Sequence, residues 1–280
     1  MTPKRVFLIG ATGTIGRAAA AALVARGHQV ICFVRPGSTL SIAGAQIRYG
    51  TVTDPASLET DGLRGEKFDA LVSCLASKTG TPRDAWAIDY TANLDALQAC
   101  QRAGASQMVL LSAICVQRPK LAFQQAKLAL ESQLIGSGLT YSIIRPTAFF
   151  KSLSGQIERL RQGKPFLLFG SGALTSCKPI SDGDLAEYMA NCLVTPALQN
   201  RILPIGGPGP AITPRQQGAE LFRLLGLTPK YRSVPLGVLN TIAIAPLDIA
   251  KLLSLRFARQ SSCLTAESGD ITQPNPCLRF

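Results

Sequence analysis

Short apolar, β-branched runs alternate along the first half of the chain with segments of helical periodicity. These runs predict strands at residues 6–9, 30–34, 70–74, 108–111 and 141–145. Between the first two strands, apolar residues recur from Ile15 to Leu23 with the spacing of a buried helix face. Longer helical segments are predicted at about 84–102 and about 119–136. The alternation predicts an α/β fold with a doubly wound parallel sheet of the Rossmann type.

After Pro146 the regular alternation ends. Helices are predicted at 151–162 and 181–193, a turn at 170–173 and a punctuated loop at 203–210. We interpret residues 1–146 as a cofactor-binding core, 147–253 as a small substrate lobe folded back on that core, and 254–280 as an atypical tail. Pro246, Asp248 and Lys251 interrupt the apolar stretch 236–255. A membrane span needs ~20 mostly apolar residues, so we predict an amphipathic helix there. It either caps the active site, touches a membrane surface or is simply packed in the core.

The composition adds a strong positive charge to this picture. The 280 residues carry a formal net charge of +12, and 46% of them are hydrophobic, enough for a substantial core. Nine Lys and Arg but only two Glu lie between Ser112 and Lys178, so part of the excess charge is local. Such a field favours a phosphate-bearing cofactor, an acidic substrate, an anionic membrane or nucleic acid, and it also fits a solvated basic face.

Cysteine and histidine usage argues against metal chemistry. The eight cysteines form no Cys-x-x-Cys pair, and the single histidine, His28, lies in a predicted turn. We therefore expect no metal site, no iron–sulfur cluster and reduced thiols. No signal-peptide pattern precedes the first predicted strand, so a cytoplasmic protein is expected.

A glycine-rich sequence links the first predicted strand to the first helix. It reads Gly10-Ala11-Thr12-Gly13-Thr14-Ile15-Gly16, with the spacing G-x-x-G-x-x-G. In this setting Gly10 permits a tight turn, Gly13 lets a pyrophosphate approach the backbone, and Gly16 lets helix and strand pack closely. The pattern predicts a dinucleotide site at the helix N-terminus, and its spacing resembles that of the short-chain dehydrogenases/reductases.

The end of the second strand indicates which dinucleotide is bound. An NAD site usually has Asp or Glu there to hold the ribose 2′-hydroxyl, whereas this chain has Arg35, with Ser38 nearby. A guanidinium pairs with a 2′-phosphate, and a carboxylate repels it. NADPH is therefore predicted over NADH. The alternative is that Arg35 is an ordinary surface arginine.

Small and polar residues follow the third predicted strand. Ser73 and Ser77 frame its carboxyl end, where a cofactor lies in open α/β sheets. Asp89 and Asn93 share one face of the next helix. They either brace this site or belong to the polar surface of the helix.

Candidate catalytic residues follow the fourth predicted strand. Ser112 ends that strand, and Lys127 occupies the lysine position of the Tyr-x-x-x-Lys motif of short-chain reductases. Phe123 stands in place of the tyrosine and cannot donate a proton. Reduction of a conjugated carbon–carbon double bond forms no alkoxide and does not need that donor. Lys127 would then hold the nicotinamide ribose and help to deliver the proton; the alternative is a relative that binds the cofactor without chemistry.

Four later blocks are more specific than the glycine-rich loop. They are Ser112-Ala113-Ile114-Cys115-Val116-Gln117, Thr147-Ala148-Phe149-Phe150-Lys151-Ser152-Leu153, Cys177-Lys178-Pro179-Ile180-Ser181 and Leu203-Pro204-Ile205-Gly206-Gly207-Pro208-Gly209. Together they resemble the NADPH-dependent class of divinyl chlorophyllide a 8-vinyl reductases, which belongs to the atypical short-chain dehydrogenases. The resemblance runs from about residue 6 to about residue 255, and the tail 254–280 departs from the longer, acidic segment of that family.

The resemblance implies hydride transfer from NADPH to the 8-vinyl group of a divinyl (proto)chlorophyllide in chlorophyll or bacteriochlorophyll biosynthesis. It also implies a tetrapyrrole substrate, no nucleic-acid partner, and a cytoplasmic location with peripheral contact at the photosynthetic membrane as an option. The rival interpretations are an isoflavone-reductase-like enzyme for another aromatic substrate and a non-catalytic NADPH-sensing or assembly protein.

The predicted site residues fall into three sets. The catalytic residues are Lys127 and Ser112. The cofactor-binding residues are Gly10, Thr12, Gly13, Thr14, Ile15, Gly16, Arg35, Ser38, Ser73, Ser77, Lys127 and Pro146. The substrate contacts are Cys115, Phe149, Phe150, Lys151 and Lys178, with Phe166 and Phe169 as further candidates for an apolar slot and Arg145 as a further candidate for pairing with the pigment's propionate.

Overall fold

Parallel strands organise the part of the chain that carries the glycine-rich loop. The computed structural model describes residues 2–236, apart from the side chain of Ser152. The strands of its main sheet are β1 (Arg5–Ile9), β2 (Gln29–Val34), β3 (Ala45–Tyr49), β4 (Ala70–Ser73), β5 (Gln107–Leu111), β6 (Thr140–Pro146) and β8 (Arg201–Ile205). Their order is β3-β2-β1-β4-β5-β6-β8, and the pairs from β3 to β6 are parallel. The order changes direction between β1 and β4, which is the switch point of a doubly wound sheet and confirms the predicted fold class.

Helices connect these strands. The α-helices are α1 (Thr14–Ala25), α2 (Pro55–Ser57), α3 (Pro82–Asp84), α4 (Asn93–Arg102), α5 (Ala122–Gly136), α6 (Phe150–Leu153), α7 (Ile157–Arg161), α8 (Asp182–Cys192) and α9 (Pro214–Leu225). Two π-helical segments, Leu58–Leu63 and Ala85–Ala92, continue α2 and α3, and short 3₁₀ turns lie at Ile114–Gln117, Ser154–Gln156 and Pro196–Leu198.

The main core lies against the central strands. Because helices cover a parallel sheet on both faces, β4 is buried along its whole length and β1 from its second residue onward. The ring of Phe7 in β1 packs 5.7 Å from that of Phe33 and 5.3 Å from that of Phe68, measured between centroids. Met108 and Leu110 of β5 extend the same cluster. This packing fixes the carboxyl ends of the strands, where the candidate site begins.

The chain divides into two compact units, and the first is discontinuous in sequence. It comprises residues up to Pro146 together with Asp182–Leu203. The sequence interpretation assigned 182–203 to the lobe, and the structure corrects this. Helix α8 packs on α1, where Arg26 pairs with Glu187 and donates to Asn191, and the Gln107 amide donates to the carbonyl of Cys192.

Among the described residues, the second unit comprises Thr147–Ser181 and residues 204–236. Strands β7 (Phe166–Phe169) and β9 (Tyr231–Val234) pair in parallel within it. Phe166 is 2% exposed and packs with Leu160, Leu168 and Phe222 in a small core. Its predicted place in a substrate slot is therefore wrong, because the ring is part of the interior of this unit.

Several predicted elements differ in detail from the structure. Strand β3 (Ala45–Tyr49), at a partly exposed edge of the sheet, was not predicted, although its alternation of polar and apolar residues is a strand signal. Residues 203–205 extend β8 instead of forming a loop, and the segment predicted as one helix at 151–162 is divided between α6, a 3₁₀ turn and α7. The predicted amphipathic segment beyond Leu236 and the tail 254–280 lie outside the described residues.

Candidate active site

The turn after β1 requires glycine at two positions. Gly10 has a φ of +82°, and a Cβ there would lie 2.4 Å from the carbonyl carbon of Cys74, just after β4. A Cβ on Gly16 would lie 2.2 Å from the carbonyl oxygen of Gly10. The first turn of α1 can therefore approach the loop only because Gly16 has no side chain.

The rim of this loop is open at the N-terminus of α1. Thr12 and Gly13 are exposed, and a Cβ on Gly13 would meet only the carbonyl oxygen of Gly10, at 3.4 Å. Thr14 is half-buried at the start of the helix, whereas the Ile15 side chain is in the core and leaves only its backbone for a ligand. The first turn of α1 contains no acidic residue. A helix N-terminus with this open rim fits the diphosphate of a dinucleotide.

The end of β2 presents a positive charge beside this loop. Arg35 is exposed, and no carboxylate within residues 2–236 lies at ion-pairing distance from it. The backbone turns back at Gly37, which has a φ of +79°, and the N–H of Ser38 donates to the carbonyl of Arg35 at 3.2 Å. Ser38 is half-buried, and its hydroxyl accepts from the N–H of Leu40 at 3.3 Å. An arginine with no acidic neighbour on this turn fits a 2′-phosphate.

The end of β4 is held from behind by a polar contact. Ser73 is fully buried, and its hydroxyl donates to the side-chain oxygen of Asn93. The Asn93 amide donates in turn to the carbonyl of Ile88 at 2.8 Å. Ser73 was predicted as a cofactor-binding residue at this strand end, and the structure shows that its hydroxyl points to Asn93 and braces the strand from the interior. Burial raises the pKa of the neighbouring Cys74 thiol to about 12, and the nearby Lys127 charge opposes that rise.

Lys127 meets Asp89 in a buried ion pair. The Lys127 Nζ lies 3.1 Å from the Asp89 Oδ1, and the two side chains are 10% and 1% exposed. The same carboxylate oxygen accepts the N–H of Ser77 at 3.3 Å. The helix α5, the π-helical segment Ala85–Ala92 and the loop after β4 therefore meet at this one carboxylate.

A second buried pair holds Ser112. The Glu131 carboxylate accepts Nε of Arg145 at 3.2 Å and a terminal guanidinium nitrogen at 2.5 Å, and it also accepts the Ser112 hydroxyl. The Glu131 and Arg145 side chains are 2% and 11% exposed. The idea that Arg145 pairs with the propionate of a substrate is therefore wrong, because its charge is matched inside the protein. The Ser112 hydroxyl likewise donates its proton in a hydrogen bond to Glu131.

The remaining predicted residues of the first unit surround these pairs. Phe123 is half-buried in the first turn of α5, one helical turn before Lys127. Pro146 is buried at the end of β6, and Cys115 is 3% exposed in the 3₁₀ turn after β5. Cys115 is thus nearly closed to solvent, which leaves little thiol surface for a substrate contact.

The predicted substrate residues of the second unit lie close to one another in the chain. Phe149 is half-buried, and Phe150, at the start of α6, is 57% exposed. Lys151 is exposed and Lys178 is half-buried. The Thr147 hydroxyl and the N–H of Gly207, the latter at 3.2 Å, both donate to the carbonyl of Lys178. These bonds and the isolated bridge from Phe149 to Ile180 join the blocks that the sequence singled out. Phe169 is half-buried in β7.

Sequence reasoning missed Glu131 and left the role of Asp89 open. Glu131 follows Lys127 by four residues, so Phe123, Lys127 and Glu131 recur on one face of α5. An acidic residue on the buried face of a helix was the available signal. The partner of Asp89 could not be predicted, because it depends on tertiary contact between two helical segments.

The described part of the chain sets two further limits. Residues 2–236 contain no helix that is long and apolar enough to cross a bilayer, and no group of three or more His, Cys, Asp or Glu side chains suited to a metal ion. Six cysteines lie in this part as free thiols, at positions 32, 74, 100, 115, 177 and 192.

Comparison with known sequences identifies relatives over most of the chain. Residues 10–196 match the family described as NAD(P)H-binding. A chloroplastic divinyl chlorophyllide a 8-vinyl-reductase of Oryza sativa subsp. indica is 46% identical over 259 residues, which cover 87% of this chain and 64% of the rice protein. The enzyme of the same name from Arabidopsis thaliana is 42% identical, over 98% of this chain and 72% of the relative. The chain thus spans less than two thirds of the rice relative and somewhat more of the Arabidopsis one.

Weaker similarities are found in sequence and, separately, in fold. The photosystem II assembly factor Ycf39 of a Synechocystis strain is 25% identical over 84% of this chain and 72% of its own length. Among solved structures, a nucleoside-diphosphate-sugar epimerase from Staphylococcus aureus superposes with a TM-score of 0.75 at 15% identity, covering 95% of this chain and 92% of the epimerase. The glycine turn, the open helix N-terminus and these matches together show that the chain belongs to the NAD(P)H-binding family and, within it, to the divinyl chlorophyllide a 8-vinyl-reductase family.

Proposed function

We propose that this protein uses NADPH to reduce the 8-vinyl group of a divinyl chlorophyllide or protochlorophyllide to an ethyl group. The observation that carries the proposal is the 42% identity to the Arabidopsis relative, maintained over 98% of this chain. The geometry is compatible with it, because the predicted dinucleotide residues and Lys127 all belong to the first unit.

Arg35 is the basis for proposing NADPH over NADH. Its exposed guanidinium follows β2, where NAD-binding sites commonly place a carboxylate. A bound NADPH supplies a hydride, and a proton from another source completes the reduction. The two added hydrogens saturate the vinyl double bond, one on each carbon.

The side chains around Lys127 suit a reaction with no alkoxide. Phe123 offers no proton, and the Ser112 hydroxyl donates to Glu131. Neither side chain is therefore a proton donor for the substrate. During vinyl reduction the negative charge spreads into the macrocycle, so a strong local donor is unnecessary. We propose that Lys127 binds the nicotinamide ribose and that it, or a water beside it, delivers the proton.

The second unit is proposed to bind the pigment. Phe150 is a large, exposed aromatic side chain next to half-buried Phe149, which suits contact with a flat macrocycle. Lys151 follows Phe150 directly in the chain. Lys178 lies two residues before Ile180, which forms a bridge with Phe149. Either ammonium group would pair with the free propionate of a chlorophyllide.

The test is a turnover assay with purified protein, NADPH and divinyl chlorophyllide. We expect a product with two additional hydrogen atoms by mass spectrometry and a blue-shifted absorption band, since conjugation is shortened. Deuterium transferred from labelled NADPH should appear once in the product. Lys127→Ala should lose most turnover and keep its fold, whereas Lys120→Ala, at an exposed lysine before the same helix, should behave as wild type.

Two outcomes would reject the proposal. Reduction of another aromatic substrate, with the vinyl group untouched, would indicate an isoflavone-reductase-like enzyme. Tight NADPH binding without any turnover would favour an assembly role, which the similarity to Ycf39 makes the second candidate. We also propose, as a separate point, peripheral contact with the photosynthetic membrane, and fractionation of cells that make chlorophyll pigments tests it.

A further inference from the structure

We propose that Asp89 is the positioning residue for Lys127, and that the π-helical segment Ala85–Ala92 brings its carboxylate beneath the lysine. The inference rests on the proposed function for the role of Lys127 in binding NADPH. It adds a residue outside the Tyr-x-x-x-Lys pattern, placed there by tertiary structure alone.

The first argument is the burial of an incompletely satisfied charge. Asp89 is 1% exposed, and its Oδ1 contacts both the Lys127 Nζ, at 3.1 Å, and the N–H of Ser77, at 3.3 Å. Its buried Oδ2 has no hydrogen-bond partner among the described residues. Burying a carboxylate oxygen in this way is costly, and a well-packed apolar pair would often be at least as stable. A role in stability alone therefore explains this carboxylate poorly, whereas orienting a functional ammonium group explains it directly.

The second argument is the helix that carries Asp89. The helical stretch from Pro82 to Arg102 changes from α to π geometry at Ala85 and back to α at Asn93. π-Helical turns are rare and are frequently found at functional sites. The Asn93 amide donates to the carbonyl of Ile88, and the Ser73 hydroxyl donates to Asn93, so the wide turn is fastened to the end of β4. This contact fixes Asp89 close to the strand end where a dinucleotide is expected.

The charge that faces Lys127 comes from Asp89, because the nearby Cys74 thiol is neutral. Burial raises the pKa of the Cys74 thiol to about 12, so that group adds no negative charge at neutral pH. The Lys127 side chain is only 10% exposed. Without the Asp89 charge, its ammonium group would lose this counter-ion and could turn away from the cofactor site. The lysine would then hold NADPH less well.

The decisive experiment is a double-mutant cycle read by NADPH binding. Fluorescence titration gives the Kd of NADPH for wild type, Asp89→Asn, Lys127→Met and the double variant. Asp89→Asn removes the charged contact that orients Lys127, so it should weaken NADPH binding about 10–100-fold, the scale of a lost hydrogen bond to a charged group. In the Lys127→Met background the same change should have little further effect. Asp95→Asn, on the next helical turns and with no contact to Lys127, is the matched control and should bind NADPH as wild type.

Two results of the binding titration would overturn the inference. In the first, Asp89→Asn binds NADPH as tightly as Asp95→Asn does. In the second, the fold-losses in NADPH affinity of the two single variants multiply in the double variant. If Asp89→Asn folds poorly by circular dichroism, its melting temperature should recover in the double variant, because the orphaned ammonium group is gone. A double variant that is no more stable also refutes the pairing.

The two proposals can fail separately. NADPH binding and the coupling between Asp89 and Lys127 are measured without any pigment. If Asp89 and Lys127 are coupled in NADPH binding but the protein never reduces a vinyl group, the proposed function is wrong and this inference still holds. A protein that reduces the vinyl group, with Asp89→Asn unchanged in NADPH binding and in KM for NADPH, would do the reverse.

Discussion

Neutralising Glu131 should destabilise the protein far more than neutralising an exposed glutamate in a similar pair. Glu131→Gln keeps the shape of the side chain and removes its charge from the contact with Arg145. The two side chains are 2% and 11% exposed, and the guanidinium donates to the carboxylate at 2.5 and 3.2 Å. The substitution therefore leaves a buried guanidinium without its counter-ion.

The expected cost follows from that burial. Removing one partner of a buried pair typically costs about 3–5 kcal/mol. The remaining amide oxygen of Gln still accepts a hydrogen bond, which places the effect near the lower end, at about 3 kcal/mol. For a protein of this size each 1 kcal/mol lowers the melting temperature by about 2–4 °C, so a fall of roughly 6–12 °C is expected.

Thermal melts and urea titrations of three variants test the reasoning. Glu220→Gln is the matched control, since Glu220 pairs with Arg223 at 2.6 Å but the side chains are 54% and 67% exposed. It should melt close to wild type because solvent screens such pairs. Glu131→Gln with Arg145→Met should regain much of the loss of the single variant. Equal melting temperatures for Glu131→Gln and Glu220→Gln would refute the claim that burial gives this pair its importance.

Three further predictions concern other sites. Arg35→Asp should weaken NADPH binding about 10–100-fold, the scale of a lost charge-assisted contact, and leave NADH binding similar or better; an unchanged NADPH to NADH ratio of Kd values would contradict the phosphate assignment. Gly10→Ala should destabilise the fold more than Gly27→Ala in urea unfolding. Both positions have φ near +80°, worth about 1–2 kcal/mol of strain, but only Gly10 has a backbone carbonyl carbon 2.4 Å from the new Cβ. Burial, with Lys4 and Arg26 nearby, lowers the pKa of His28 from its usual 6.5. The unfolded chain therefore binds the proton more readily, so stability is complete above about pH 6.5 and declines as the pH falls through it. His28→Gln should reduce the difference in urea midpoint between about pH 7.5 and about pH 5.5, and an equal difference would remove His28 from this account.

The order of elements around the glycine loop could be predicted because local pattern and chemistry agree there. A buried strand, a G-x-x-G-x-x-G turn and a helix with one apolar face specify the same supersecondary unit. Arg35 and Lys127 were also accessible from the sequence, since each follows a recognisable element at a fixed distance. Phe123 was informative through its departure from the motif.

The contacts of these residues could not be predicted, because they join segments distant in the chain. Lys127 and Asp89 are on different helical segments, and Arg145 reaches Glu131 only when β6 packs beside α5. Ser73 looked like a cofactor contact because it is small and polar at a strand end. Its hydrogen bond to Asn93 depends on the π-helical turn before that residue. The pattern of apolar residues does not indicate such a turn.

The discontinuity of the first unit has a consequence for the nascent protein. When the ribosome has released residues up to Pro146, the strands β1 to β6 are present, but α8 and β8 have not yet been made. The growing chain then exposes the face of α1 that α8 covers and the free edge of β6. Such an unpaired edge invites association with other chains, so this protein should depend on chaperone shielding until α8 and β8 have emerged from the ribosome.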